Sequence, residues 1–156
     1  MLNRFVRTGW LWLLATVVVC SHAAGEKTVA ATEAKAVQTV VMAQLDAFAR
    51  GDAAKAFSYA SPEVRKVFST PDRFMTMARL GYPALFQPAT VTFFKPEQAG
   101  NGILQRVQLA DAQGVLWVAM YSLQRQPDKL WRITGCTIGV SEGLQTWRWD
   151  APAVSV

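Results

Sequence analysis

The chain has 156 residues, 51% of them hydrophobic, with 16 Lys and Arg against 11 Asp and Glu, one histidine and two cysteines. That is enough for one domain with a core of its own. The positive charge is mild and dispersed, with no Lys/Arg-rich run to follow a phosphate backbone, so nothing points to a nucleic-acid partner.

The first segment has the three parts of a secretory signal peptide. Arg4 and Arg7 make a positive start, Gly9 to Cys20 (GWLWLLATVVVC) is an uncharged apolar run, and Ser21-His22-Ala23 offers small residues at the cleavage positions. The run falls short of the ~20 residues that span a bilayer, so cleavage after Ala23 is expected in preference to an uncleaved anchor. Lipoprotein processing is the weaker alternative, because Val19 precedes Cys20 where a small residue is needed. The sequence therefore predicts an exported protein, periplasmic or secreted, with no stable membrane span after cleavage. Its parts are a signal peptide over 1–23, a lead-in over 24–32, a domain over 33–140 and a tail over 141–156.

Cleavage also removes chemistry. Arg4 and Arg7 are two of the 16 basic residues, so the mature chain carries 14 against 11 acidic, a net charge of +3. Cys20 and His22 leave too, so Cys136 is the one remaining thiol and no imidazole remains. An intramolecular disulfide, a Ser-His-Asp or Cys-His pair and a His/Cys zinc site are thereby ruled out. No calcium loop and no glycine-rich phosphate cradle occurs in the chain, and no metal or cofactor is expected.

In chain order, the spacing of Val37, Val40, Val41, Leu45 and Phe48 predicts a helix opened by a Thr32 cap and closed at Gly51. Asp52 is placed to cap a second helix to Ala60, and Ser61-Pro62 starts a third, to about Phe68. Thr70-Pro71-Asp72 starts a fourth, over Asp72–Leu80, with Gly81 as its stop. The period then changes. Thr90–Lys95 reads as a strand, and the stretch from Pro96 to Gly102 as a loop. The next strand, 103–110, sets Ile103, Gln105, Val107 and Leu109 against Leu104, Arg106, Gln108 and Ala110. Asp111–Gly114 is a hairpin turn, and Val115–Gln124 has the continuous apolar character of a central strand covered on both faces. Pro127-Asp128-Lys129 is a further turn, before a last strand over Leu130–Val140.

Helices followed by a meander predict an α+β fold: a long first helix and short ones packed on a twisted antiparallel sheet of about four strands, cone-shaped with one open end. The stretches QLDAFARGDAAKAFSYASPEVRKVF and PDRFMTMARLGYPALFQP, with the later WRITGC, resemble the bacterial domain of unknown function 4864 family. The resemblance covers roughly residues 37–140. It implies an exported domain with a cone similar to the nuclear transport factor two-like fold. It implies no activity.

Aromatic and thioether side chains crowd the segment from Phe57 to Phe86, among them Tyr59, Phe74 and Tyr82. They suit either a ligand-lined cone mouth or a core that seals helices to sheet. The two-residue period puts Val115, Trp117, Ala119, Tyr121 and Leu123 on one strand face, with the polar atoms of Trp117 and Tyr121 wanting partners, a backbone carbonyl or a ligand. The same period sets Arg132 beside Thr134 and Cys136. There it could clamp an anion, or pair with an acidic residue on a neighbouring helix. Asp52 and Asp72 are accounted for as caps, and Asp46 falls on the exposed side of the first helix. Cys136 reads as a small buried hydrophobe, or else as an intermolecular disulfide partner. Trp147 and Trp149 in the tail are expected to pack on the domain, or on a second copy in a homodimer.

The expected function is non-catalytic binding of a small apolar ligand or a protein partner, with Tyr59, Phe74, Tyr82, Trp117, Tyr121 and Arg132 as candidate ligand residues. The alternative is a histidine-free isomerase- or hydratase-like enzyme using an Asp base and a Tyr donor.

Overall fold

A computed structural model describes residues 28–141. The export segment and the Trp147/Trp149 tail lie outside the described residues.

Four helices come first: α1 (Ala31–Ala49), α2 (Ala53–Ser58), α3 (Pro62–Phe68) and α4 (Pro71–Gly81), then a 3-10 turn over Pro83–Leu85. Each break has local chemistry behind it. Gly51, at φ +69°, closes α1 in a Schellman pair, with Asp52 N–H donating to Ala47 O and Gly51 N–H to Phe48 O. The Asp52 carboxylate accepts from Lys55 N–H, Ser61 Oγ from Val64 N–H and Thr70 Oγ1 from Arg73 N–H, one cap for each short helix. Two expected caps move. Thr32 lies inside α1, whose cap position is Ala30 with no side-chain bond, and Asp72 sits in the first turn of α4 while Thr70 caps it. Gly81 is the last residue of α4, which stops because Pro83 follows Tyr82 and disfavours helical geometry there. No described helix is long and apolar enough to cross a membrane.

Five antiparallel strands follow, the four expected and a short β2: β1 (Thr90–Phe93), β2 (Glu97–Ala99), β3 (Gly102–Ala110), β4 (Leu116–Arg125) and β5 (Trp131–Val140). The order is β1-β3-β4-β5, and β2 pairs with the start of β3 along the same edge as β1. In effect β1 and β2 are one edge strand broken at 94–96. Pro96 has no N–H for a ladder, which is tolerable at an edge. The three residues expected to be part of a loop pair because β3 continues past the break. The Gln105 side chain bridges the gap, its Nε2 donating to Phe94 O at 2.8 Å and Arg106 O at 2.8 Å. Gly102 opens β3 under tight packing: a Cβ there would lie 2.5 Å from Leu123 O. Gly102→Ala is expected to lower the unfolding free energy by about 1–3 kcal/mol, read as a fall in urea midpoint, and an unchanged midpoint would contradict the close approach.

All the helices lie on one side of the sheet, with α1 packed on β3 and β5. The valine face of α1 is buried as expected, with Val37, Val41, Leu45 and Phe48 in the core. Among the described residues, strand β4 is therefore covered by helices on one face, not two. Ala119, Tyr121 and Leu123 point inward and are buried, Trp117 is half-buried, and Val115 precedes the strand and is exposed. On the outer face Leu116 is exposed and Val118 and Met120 are half-buried.

One bulge decides the geometry of β5. Leu123 faces Ile133 but Ser122 faces Gly135, so Thr134 is an extra residue. Ile133, Cys136 and Ile138 consequently all face inward, a pattern a strict two-residue alternation does not give. At the bulge β5 is stitched to the helical layer: Ile133 N–H donates to Tyr59 O at 2.9 Å, and Ser61 N–H donates to Ile133 O at 2.8 Å.

Candidate functional site

Between the helices and the bulged part of β5 lies a cavity of about 260 Å³. Its wall combines Phe48 of α1, Phe68 of α3, Phe74, Met77 and Ala78 of α4 with Ile133 and Cys136 of β5. The aromatic part is organised around Phe74, whose ring centroid is 5.9 Å from Phe48, 5.5 Å from Phe57 and 5.4 Å from Phe68, the last edge-on. No Asp, Glu, Lys or Arg lines the space. Two polar side chains on the wall are already committed, Gln44 Nε2 donating to Ala56 O at 3.1 Å and Thr134 Oγ1 donating to Ser122 O at 3.1 Å.

Of the six candidate residues, Phe74 and Tyr82 line the cavity. Tyr121 is fully buried next to the Cys136 that does. The other three lie elsewhere. Tyr59 ends α2, with the Lys55 ammonium 5.4 Å from its ring centroid. Trp117 lines a wider groove of about 600 Å³, together with Arg50, Arg79, Phe86 and Asp111. Its indole N–H donates to Asp111 Oδ2 at 3.0 Å, so a carboxylate takes the place expected for a carbonyl. Arg132 is paired with Asp128 of the adjacent turn at 3.3 Å, not with a helix. Because Thr134 is the bulged residue, Arg132 is on the outer face and Cys136 on the inner one, which separates the two residues that simple alternation grouped.

Sequence reasoning missed that Gln44 and Cys136 line the cavity. Gln44 falls on the buried side of α1 between Val41 and Leu45, and a polar residue within an apolar helical face is the signal that could have found it. Asp46, by contrast, is exposed as expected and pairs only with Arg50 at 3.3 Å, a solvent-screened contact of little energetic weight.

Two titrations carry information. Burial pushes the Cys136 thiol up to about 12, so it stays protonated and is a poor nucleophile. The residue points to the inner face and is half-buried there. The Trp117 indole N–H, then the Val115 and Gln113 backbone N–H groups, hold the Asp111 carboxyl below its ordinary value. A lowered carboxylate pKa stabilises the fold above the unfolded pKa, and that stability is lost as pH falls through the folded one. The urea midpoint should therefore drop more steeply on acidification from about pH 5 to 3 in the wild type than in Asp111→Asn. Equal slopes would show that the Asp111 contacts contribute nothing. Among the described residues, no group of three or more His, Cys, Asp or Glu could hold a metal ion.

These features define a helix-over-sheet α+β domain with a small, partly open cavity that no charged side chain lines. The chain belongs to the DUF4864 family, a domain of unknown function, whose model matches residues 30–146. Two solved structures are similar to it, both described as NTF-2-like proteins of unknown function. The one from Silicibacter pomeroyi DSS-3 has 16% identity and a TM-score of 0.49, over 70% of this chain and 96% of that one. The one from Burkholderia xenovorans LB400 has 13% identity and a TM-score of 0.43, over 76% and 89% respectively. No curated protein matches the chain.

Proposed function

We propose that this domain is an exported binding module whose partly open cavity between helices and sheet takes a small apolar ligand. The observation that carries this reading is the wall of Phe48, Phe68, Phe74, Met77 and Ile133 around about 260 Å³ with no charged side chain. Cavities for drug-sized ligands run from about 300 Å³ upward, so the ligand is smaller than that class. The alternative enzyme needs a carboxylate base beside a tyrosine, and no carboxylate is on this wall. The apolar outer face of β4, where no described helix covers Leu116, Val118 and Met120, supports a second reading, a protein partner or a second copy.

Native mass spectrometry of protein purified from the exported fraction tests both readings. The ligand reading expects a chain starting at Ala24 and carrying a small extra mass that denaturation removes. A clean dimer without extra mass would favour the partner reading. A clean monomer retaining residues 1–23 would contradict cleavage after Ala23 and favour neither reading.

A further inference from the structure

The groove that Trp117 lines is a separate site from the cavity: among the described residues, Phe48 alone borders both. Its walls are the places where elements end, Ala49–Gly51 at the close of α1, Arg79 in the last turn of α4, Pro83 and Ala84 of the 3-10 turn, and Asp111 of the β3–β4 turn. Its charged side chains are Arg50, Arg79 and Asp111. The Asp111 carboxylate is served by the protein itself. Its Oδ1 accepts from Gln113 N–H at 3.0 Å and Val115 N–H at 2.9 Å, and its Oδ2 from the Trp117 indole at 3.0 Å. Arg50 is paired with Asp46, which does not line the groove. Arg79 differs from both. Its Cζ lies 4.6 Å from the Phe86 ring centroid, and a Cβ on Gly51 would meet its Nη2 at 3.6 Å, so the ring and the glycine locate the guanidinium at the groove. Among the described residues it makes no ion pair and no hydrogen bond, not even to the end of its own helix, where Ala78 O accepts from Tyr82 N–H. A planar cation placed by stacking, with all five N–H donors free of protein partners, presents the fork that a carboxylate fits.

We propose that this groove binds a small organic carboxylate, its anionic end paired with Arg79 and its apolar frame laid against Trp117 and the Pro83–Ala84 turn. The sign of the charge follows from the lining, two cations against one anion whose oxygens are already engaged. The apolar frame follows from the surface beside Arg79: Ala49, Pro83, Ala84 and the half-buried Trp117, whose single polar atom is taken by Asp111. A bare inorganic ion would gain nothing from that surface. Gln87 and Gln113 add uncharged amides to the same lining. At about 600 Å³ the groove has the size of a small-molecule site, and it needs no ligand in the cavity.

The test titrates ¹⁵N-labelled protein with 2-naphthoate and with 2-naphthamide, which share a ring frame and differ in charge, and follows the amides and the Trp117 indole N–H by NMR. The acid should bind about 3- to 10-fold more tightly than the amide at low ionic strength, and the preference should shrink in 0.5 M NaCl, where the Debye length is about 4 Å. Saturable shifts are expected at Ala49–Gly51, Ala112, Gln113 and the Trp117 indole, with Ile133–Cys136 unmoved. In Arg79→Gln the two probes should bind within about 2-fold of each other, because the charged fork is gone. Equal affinities in the wild type, shifts that map elsewhere, or a preference that survives in Arg79→Gln would each overturn the proposal. Acetate binding as tightly as 2-naphthoate would overturn the apolar frame and leave a bare anion contact. Arg79 is exposed and bonded to nothing in the fold, so the variant is expected to fold, and the wild-type ratio and shift map decide the matter even without it. None of these outcomes bears on the cavity, whose probe is uncharged.

Discussion

Replacing Phe74 by alanine should lower the unfolding free energy by about 3–5 kcal/mol and the melting temperature by on the order of 10–20 °C. The ring is 7% exposed and contacts three other phenylalanines, Phe48 from α1, Phe57 from α2 and Phe68 from α3. It thus adds a shared aromatic centre to the direct packing of α4 on α2 and α3 and of α1 on α2. Removing it forfeits the transfer energy of a whole ring and merges the vacated volume with the existing cavity. The surrounding rings are pinned by their own elements and have little freedom to collapse inward. Urea unfolding measures the loss directly. A change under about 1 kcal/mol would mean that the helical layer closes over the gap, and that the cavity is not a rigid feature of the fold.

Deleting Thr134 should cost about 1–3 kcal/mol and leave the register of β5 intact. Thr134 is the extra residue, so without it Gly135 still faces Ser122, Ile133 still faces Leu123, and Ile133, Cys136 and Ile138 still point inward. What is lost is the local bend of the bulge, which positions Ile133 for its bonds to Tyr59 O and Ser61 N–H, and the Thr134 side chain. Thr134→Ala is the control. It keeps the bulge and loses only the 3.1 Å bond from Thr134 Oγ1 to Ser122 O, a cost of about 1 kcal/mol. Circular dichroism melting curves of the two variants separate the effects, and near-equal stability would show that the bend itself contributes nothing to the seam between sheet and helices.

The helical half was legible residue by residue because its signals are local. Gly51, Asp52, Ser61-Pro62 and Thr70-Pro71 each act within one turn of where they stand, and each appears in the structure at or beside the expected break. The hairpins were legible for the same reason: the Asp111 carboxylate accepts from Gln113 and Val115 N–H, and that of Asp128 from Leu130 N–H. Strand faces were less so. In WRITGC nothing marks Thr134 as the extra residue, since a bulge arises from what the neighbouring strand and the α2–α3 connection demand. That single non-local event moved Arg132 away from Cys136. Strand β2 escaped because three residues beside a proline carry too little pattern, while the pairing that makes them a strand is supplied by β3. The cavity is a gap between elements, so only its wall types could be read, and Phe74 and Tyr82 were. Gln105 was visible on an apolar face, but its bonds to Phe94 and Arg106 depend on the broken edge.

The central claim is that the space between the helices and β5 admits a small apolar molecule. Titrating ¹⁵N-labelled protein with tetralin, and following every amide by NMR, tests it most directly. The account predicts saturable shifts at Phe74–Tyr82 and Ile133–Cys136, with the outer-face residues Val118 and Met120 unmoved beyond what their inward-facing neighbours transmit. Shifts confined to the outer face, or none that saturate, would contradict it.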